Sequence, residues 1–435
     1  MKSNVFVRSS IVFLSILMAV SLTAPPGVLA GHGAGSEEDA AATAASDIWH
    51  RDTLTGNWFG LGEDLEESGV SVALSATQIF QYGLSGGTEA GVGRQSGSYD
   101  LEVEADAEKL VGLPGGHAFM LAEGSWAAAG GLDARAVGSS FGINDDFGGE
   151  RFLDVTELWW EQHLADGRLK IRAGKVDLTG GFVCRGCPVS FDGNLFANDE
   201  TAQFLNGALV NNPSVPFPDN GLGLMVYAEP VDGWYAGFGV ADADADARET
   251  GFNTTFDGDS DLFYIAETGV VPIINGAHGR LRGSYRIGLW HLHQQRADLD
   301  GTGTEDDDVG VYVSADQMVW RENATDEQGL GLFGRLGWAD DDVNAIRTFA
   351  SGGLNYRGPI PGRDADVLGA GYAWGKLSSD AGFGSTHERA VEFYYNAELT
   401  PWLHVSPSVQ WLHNPGGSLT TDDATVVGLR LQMNF

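Results

Sequence analysis

The feature that most constrains the fold of this chain is an alternation of apolar and polar residues with period two. It recurs from residue 70 to the carboxyl terminus and is clearest near the end, where Leu429 and Leu431 alternate with Arg430 and Gln432. Successive side chains of a strand point to opposite faces, so each such stretch predicts a β-strand with one apolar and one polar face.

We predict about sixteen such strands, separated by turns rich in Gly, Asp, Asn and Pro. Their typical length of about ten residues is that of a tilted strand crossing a bilayer. The predicted spans are 70–83, 98–109, 117–128, 151–163, 168–176, 221–230, 234–241, 261–270, 279–292, 308–319, 328–338, 348–358, 366–375, 389–399, 402–413 and 424–435.

Composition narrows the class of protein further. Apolar residues make up 43% of the chain and charged residues only 20%, yet no apolar run after residue 30 approaches the roughly 20 residues of a membrane-spanning helix. The chain is therefore either soluble or crosses a membrane by strands. A net charge of −35 excludes nucleic acid as a natural partner, because phosphate contacts need clustered Lys and Arg.

The connections favour the membrane alternative. Those after predicted strands 2, 4, 6 and 14 are tight, whereas those after strands 1, 3, 5, 7 and 9 are long and polar. Short turns on one side and long loops on the other are typical of an outer-membrane barrel, with the short side periplasmic. We therefore predict an all-β fold, a transmembrane antiparallel β-barrel of about sixteen strands.

The longest connection, Asp177–Asn220, follows the fifth predicted strand and carries several Phe and Pro residues. Connections of this length are usually functional. We expect it to fold inward and narrow the lumen, and the alternative is a loop that only caps the surface. Cys184 and Cys187 lie within it, and a local disulfide is the expectation for an exported protein.

The ends of the chain indicate export and membrane assembly. Residues 1–30 combine a basic start, an apolar core and a small-residue cleavage site, which predicts a signal peptide. Residues 31–48 are a flexible lead-in, 49–69 a short amino-terminal periplasmic segment, and 70–435 the barrel. The terminal Phe435 closes an alternating strand, like the signal read by outer-membrane assembly machinery.

Three segments together carry a family resemblance. They are Leu54–Gly60 (LTGNWFG), Glu161–Lys175, and a set within Glu392–Phe435 that includes Pro401-Trp402-Leu403 and Asn414–Gly417. In residue types and spacing they resemble the carbohydrate-selective porin family of the OprB type. The resemblance implies a sixteen-stranded outer-membrane barrel through which monosaccharides such as glucose diffuse passively. A homotrimer is possible by analogy with large porins.

The polar face of the strands supplies candidate pore-lining residues. A sugar pore needs hydrogen-bonding side chains that replace water and aromatic faces for CH surfaces, while binding stays weak. The candidates are Glu102, Glu104, Glu157, Trp159, Glu161, Lys170, Arg172, Arg282, Arg286, Glu392, Gln410 and Arg430. Arg172, Glu392 and Arg430 stand out because they lie in the family-like segments. Trp159 is the candidate sugar platform, and the alternative is an aromatic residue at the membrane interface.

No catalytic motif is present: the sequence has no G-x-S-x-G, no H-E-x-x-H and no phosphate-binding glycine loop. We therefore expect a channel without enzymatic activity and without a cofactor. Acidic stretches at Asp242–Asp246, Asp257–Asp261 and Asp298–Gly301 with Glu305–Asp308 could bind calcium at the cell surface, but none has EF-hand spacing, so solvated loops are the default. The alternative function is a general or cation-preferring porin without sugar selectivity.

Overall fold

The computed structural model describes residues 47–128, 130–146, 149–179, 190–198, 203–248, 255 and 261–435, and the alternating stretches in them form strands. The strands are β1 Val70–Gly87, β2 Gly93–Asp106, β3 Gly116–Ala127, β4 Arg151–Leu164, β5 Leu169–Val176, β6 Gly221–Val231, β7 Trp234–Asp242, β8 Leu262–Val270 and β9 Ile273–Gly276. They continue with β10 Gly279–Ala297, β11 Thr304–Arg321, β12 Gly329–Ala339, β13 Ile346–Arg357, β14 Val367–Leu377, β15 His387–Thr400, β16 Leu403–His413 and β17 Asp422–Asn434.

The strands close into a barrel because β1 pairs with both β2 and β17, all antiparallel. At one level of the wall, Ile79 of β1 stands opposite Ser96 of β2 and Arg430 of β17. Strands β8 and β9 both pair with β10, so together they occupy one strand position in the barrel wall. Each such position is called a stave below. Over the described residues this gives a closed, sixteen-stave antiparallel barrel, which confirms the predicted fold class.

The two faces of the strands differ as the alternation predicts. On β10, Leu289 points outward and is 57% exposed, whereas Arg286, three positions earlier, points inward. On the paired strand β11, Val311 and Val313 are likewise exposed on the outside and Ser314 is buried inside. An apolar exterior with a polar interior is the arrangement of a barrel in lipid. Among the described residues, none of the helices has the length and apolar character needed to cross a bilayer.

Some strand limits differ from those predicted. The alternation continues past the end of β2, but Asp106 caps a short helix there by accepting hydrogen bonds from the backbone N–H groups of Glu108 and Lys109. Gly112, with a φ of 73°, ends that helix. Strands β10 and β11 are longer than predicted, so only residues 298–303 join them, and residues 88–92 alone join β1 to β2. The loops after the first and ninth staves are therefore short, contrary to expectation.

The remaining regular elements are short. The helices are α1 Leu61–Ser68, α2 Ala107–Val111 and α3 Gly207–Val210, with a left-handed turn at Gly56–Phe59, a π-helical turn at Asp133–Val137 and a 3-10 turn at Pro415–Gly417. The segment before β1 is fixed to the barrel end that carries the carboxyl terminus: Leu54 N donates to Asn434 O at 2.8 Å, and Trp402 Nε1 donates to Ile48 O at 2.7 Å. The predicted signal peptide and most of the lead-in lie outside the described residues.

Candidate functional site

The longest loop, residues 177–220 between β5 and β6, is here named L3, and its described parts lie against the inner face of the barrel wall. Its described parts reach strands far from its own ends. Asn194 Nδ2 donates to Ala315 O of β11 at 3.1 Å, and Leu205 N donates to the Glu392 carboxylate of β15 at 2.9 Å. These two parts of L3 thus lie inside the barrel.

Glycines on the inner face make room for L3. A Cβ placed on Gly371 of β14 would stand 2.9 Å from Leu209, and one on Gly239 of β7 would stand 3.0 Å from Phe191. On β12, a Cβ at Gly337 would collide with Ser214. Only a strand without side chains at these positions allows L3 to lie directly on the wall.

Apolar side chains of L3 form a core with the wall in what would otherwise be a water-filled lumen. Phe204 packs edge-on against Tyr394 with ring centroids 5.0 Å apart, and also contacts Phe333. Leu209 joins the same cluster and is fully buried. Burial of these side chains supplies the main driving force that holds the loop inside.

Beneath residues 190–198 of L3 lies a buried network of charged and phenolic groups. The Glu267 carboxylate accepts hydrogen bonds from the Tyr235 hydroxyl at 2.6 Å, the Tyr312 hydroxyl at 2.7 Å and the Asp192 backbone N–H at 2.9 Å. Arg335 Nε donates to Asp192 O at 3.0 Å. Since buried polar groups are costly unless paired, this network fixes the backbone of L3 at Asp192.

A second loop, residues 128–150 between β3 and β4 and here named L2, also enters the lumen. Ile143 O accepts hydrogen bonds from Gln81 of β1 at 2.7 Å and from Gln410 of β16 at 2.9 Å. Arg430 of β17 contacts both loops: its Nη1 lies 3.5 Å from Asp146 of L2, and its Nη2 donates to Gln203 O of L3 at 3.0 Å. L2 and L3 therefore meet at the wall formed by β15–β17.

Four of the candidate pore residues are covered from the lumen. Arg286 pairs with Asp316 at 2.6 Å, and the exposed fractions of Arg286, Glu392, Gln410 and Arg430 are only 3%, 0%, 1% and 2%. Their side chains do point inward, as the alternation predicts, but a loop covers each of them. Glu392, Gln410 and Arg430 bind the loops. Arg286 binds Ser284 and Asp316 of the wall. A permeating solute does not reach any of the four in this arrangement.

The wall formed by β2–β5 carries most of the remaining candidates. Its interior bears Glu102 and Glu104 on β2, with Glu104 exposed, and a row of carboxylates in register: Asp100 stands opposite Glu123, and Glu123 opposite Asp154. Arg151 is within 4.0 Å of Asp154. Arg282 lies outside this wall, on β10, and is exposed near the short turns. The interior is thus strongly acidic along β2–β4.

Trp159 is enclosed by its neighbours. Arg172 of β5 lies over the indole ring with its guanidinium carbon 3.7 Å from the ring centroid, and Phe119 of β3 stacks on it at 4.8 Å. Arg172 Nε also donates to Glu161 at 3.0 Å, and Trp159 Nε1 donates to Glu157 at 2.8 Å. Contacts from both neighbouring strands cover the indole, so a sugar stacking on it would have to displace Arg172. Lys170 is buried further along β5.

A polar cavity of about 200 Å³ opens between L3, L2 and the wall. Its described lining is made mainly of hydrogen-bonding groups: Asp145, Thr179, Ser190, Asp192, Asn198, Asn211, Asn212 and Arg335, with Phe191, Gly193, Val210 and Phe217. Burial raises the pKa of Asp192 to about 7, although the nearby Arg335 guanidinium lowers it. The cavity offers both donors and acceptors to a hydroxylated solute.

Sequence reasoning did not single out Asp192, Glu267 or Arg335. Arg335 and Glu267 were visible as polar positions of alternating strands, but many such positions exist. Asp192 gave no signal, because its partners lie 75 and 143 positions away along the chain.

The acidic stretches considered for calcium have protein partners where they are described. Asp242 accepts a hydrogen bond from the Thr255 hydroxyl at 2.7 Å, Asp300 accepts from Thr302, and Asp307 binds His291 and His293. Three further carboxylates, Asp340–Asp342, lie close together in the loop after β12. Residues 256–260 and the Cys184–Cys187 pair lie outside the described residues, so calcium binding and the disulfide stay predictions.

A closed antiparallel barrel of sixteen staves, apolar outside and narrowed inside by inward-folded loops, defines a porin. A family model described as "Carbohydrate-selective porin, OprB family" matches residues 92–435. The chain belongs to this family, and it is a porin of the Gram-negative outer membrane.

Individual relatives agree over nearly the whole chain. Porin B of Pseudomonas aeruginosa is 25% identical over 447 residues, which cover 93% of this chain and 95% of that protein. The putative porin QuiX of Acinetobacter baylyi is 21% identical and covers 90% of this chain. The high-pH structure of Pseudomonas putida OprB superposes with a TM-score of 0.77 at 21% identity, covering 90% of this chain and all of that one.

Proposed function

We propose that this porin passes single sugars, such as glucose, by passive diffusion through the lumen that L2 and L3 narrow. The observation that carries the proposal is the polar cavity between these loops, in a chain whose family is described as carbohydrate-selective. Its amide, hydroxyl and carboxylate groups can exchange hydrogen bonds with sugar hydroxyls as water is shed. The proposal also holds that the protein is a channel and carries out no reaction.

Weak contacts suit this task better than a tight site. Conduction requires that binding be favourable enough for entry and weak enough for exit. Asn198, Asn211 and Thr179 offer neutral donors and acceptors, whereas Asp145 adds a carboxylate that accepts from Asn211 Nδ2 at 3.0 Å. Neutral groups of this kind bind hydroxyls without the long residence that several charges would impose.

The test compares two neutral solutes of similar mass and different shape. Liposomes containing the protein are expected to swell faster in glucose than in mannitol, whose open chain cannot present the ring hydroxyls in the same arrangement. Glucose is also expected to block the single-channel current in a concentration-dependent way. Equal swelling rates together with no block would rule out the proposed selectivity.

One observation favours a second candidate, a cation-preferring porin. The carboxylates of Asp100, Glu123 and Asp154 stand side by side across three strands of the lumen wall, with Arg151 as a basic neighbour. A lumen of this charge concentrates cations. A reversal potential in a KCl gradient that strongly favours K⁺, combined with a current that sugar does not change, would support this candidate over the first.

We further propose that the protein assembles as a homotrimer and is inserted by the outer-membrane assembly machinery. The position of Phe435 supports the second point, since its backbone N donates to Leu74 O at 2.9 Å, where β17 meets β1. Deletion of Phe435 is expected to lower the amount of folded protein in the outer membrane.

A further inference from the structure

We propose that Glu392 and Gln410 are positioning residues that set the size of the pore opening, by holding L3 and L2 at one place on the barrel wall. They face each other on neighbouring strands β15 and β16. The inference rests on the proposed function only in that the opening is taken to limit sugar passage. Neither residue needs to touch the sugar.

Glu392 uses both of its carboxylate oxygens on L3. Oε1 accepts from Leu205 N at 2.9 Å, Oε2 accepts from Asn206 N at 2.8 Å, and the side chain is fully buried. Hydrogen bonds to an ionised acceptor are about twice as strong as neutral ones. Because one carboxylate binds two consecutive backbone N–H groups, it fixes both the position and the direction of L3 at residues 205 and 206.

Gln410 joins the two loops at the same point. Its Oε1 accepts from Asn206 Nδ2 of L3 at 3.1 Å, and its Nε2 donates to Ile143 O of L2 at 2.9 Å. Each end of the amide thus serves a different loop. Glu392 and Gln410 together form one anchor for both loops.

The anchored residues begin the short helix α3, which carries part of the cavity lining. Asn206 caps α3 by accepting from Ala208 N at 3.2 Å, and Val210 of α3 lines the cavity. At the other end of α3, Leu209 O accepts from Arg335 Nη1 at 2.8 Å. Release at Glu392 would free the start of α3 and move the cavity edge away from the wall.

The decisive variant is Glu392→Gln, which keeps the size of the side chain. A glutamine Nε2 cannot accept a hydrogen bond, so one L3 N–H would face another donor. Loss of a bond to a charged group is expected to raise the population of undocked L3 about tenfold to a hundredfold. Single-channel records in KCl without sugar are expected to show frequent steps between the wild-type level and other conductance levels.

The matched control is Glu229→Gln. Glu229 is also a buried carboxylate on the inner side of the barrel and accepts from a backbone N–H, that of Gly233 at 3.1 Å, but this bond closes a short turn away from L2 and L3. Glu229→Gln also replaces a buried carboxylate by an amide, and its single-channel records are expected to match those of the wild type. Gln410→Leu, which leaves the Glu392 bonds intact, is expected to show fewer steps than Glu392→Gln and more than the wild type.

Single-channel recording counts only folded, inserted molecules, so a lower yield of a variant does not affect the readout. Steady wild-type conductance in both Glu392→Gln and Gln410→Leu would overturn the inference. Equal unsteadiness in Glu229→Gln would also overturn it, because the cause would then be loss of charge. Since the records contain no sugar, failure of sugar selectivity would leave this result unchanged.

Discussion

Carboxylates that point into this barrel differ in role according to what covers them. Glu104 is exposed to the lumen, whereas Glu392 and Asp192 are buried at the contacts of L3. An exposed carboxylate acts on permeating ions through its charge. A buried one acts on the protein, because it must be satisfied by hydrogen bonds and in return fixes the groups that supply them.

Docking of L3 on the wall depends on pH through Asp192. Its pKa is raised to about 7 by burial in the docked loop, and would return to about 3.9 in a detached, solvated loop. The docked state therefore binds the proton more tightly, and docking loses stability as pH rises from about 4 to about 7. We expect single-channel records to show more frequent steps between conductance levels at pH 8 than at pH 5.

The variant Asp192→Asn keeps the size of the side chain and removes its titration. The frequency of its conductance steps is expected to change less between pH 5 and pH 8 than that of the wild type. A wild type with no pH dependence, or a variant that keeps all of it, would contradict the assignment to Asp192.

At the scale of elements, the fit between a loop and a strand decides the width of the lumen. L3 lies on β14 because Gly371 leaves space for Leu209 and Phe204. Gly371→Val would force these side chains away from the wall, at a cost of about 1–3 kcal/mol for overpacking. We expect faster hydrogen exchange at residues 203–210 and a less steady conductance.

Gly334→Val provides the comparison, since Gly334 lies on β12, where a Cβ would stand 3.6 Å from the nearest atom, an ordinary contact distance. This variant is expected to leave both hydrogen exchange in L3 and the conductance at wild-type values. If the two valine variants behave alike, the contact between Gly371 and L3 does not control the position of the loop.

At the scale of the whole molecule, the apolar exterior holds the barrel in lipid. Leu289 lies on the outward face within the apolar part of β10, and Gln295 lies on the same strand near its polar end. Leu289→Arg is expected to lower the free energy of unfolding by about 2–4 kcal/mol, and Gln295→Arg by about 0–1 kcal/mol. Denaturant titration of the protein in lipid vesicles measures both, and equal losses would contradict the proposed membrane position.

The sequence by itself determined the staves of the barrel and the direction in which their side chains point. Period-two alternation is a local property, so it can be seen in each strand separately, and it placed Glu392, Gln410 and Arg172 on the inner face. The alternation predicted a β2 that continues to residue 109, but β2 ends at Asp106, which caps helix α2. Alternation does not show where a strand gives way to a helix.

Only the tertiary structure decided which inward residues meet solute and which hold the loops. Glu392 and Leu205 are 187 positions apart, and they meet because the barrel closes and L3 then folds across it. Such a contact depends on the packing of Phe204 and Leu209 against distant strands and on glycines such as Gly371 that make room for them. No local pattern encodes that match, since it exists only between surfaces that closure of the barrel brings together.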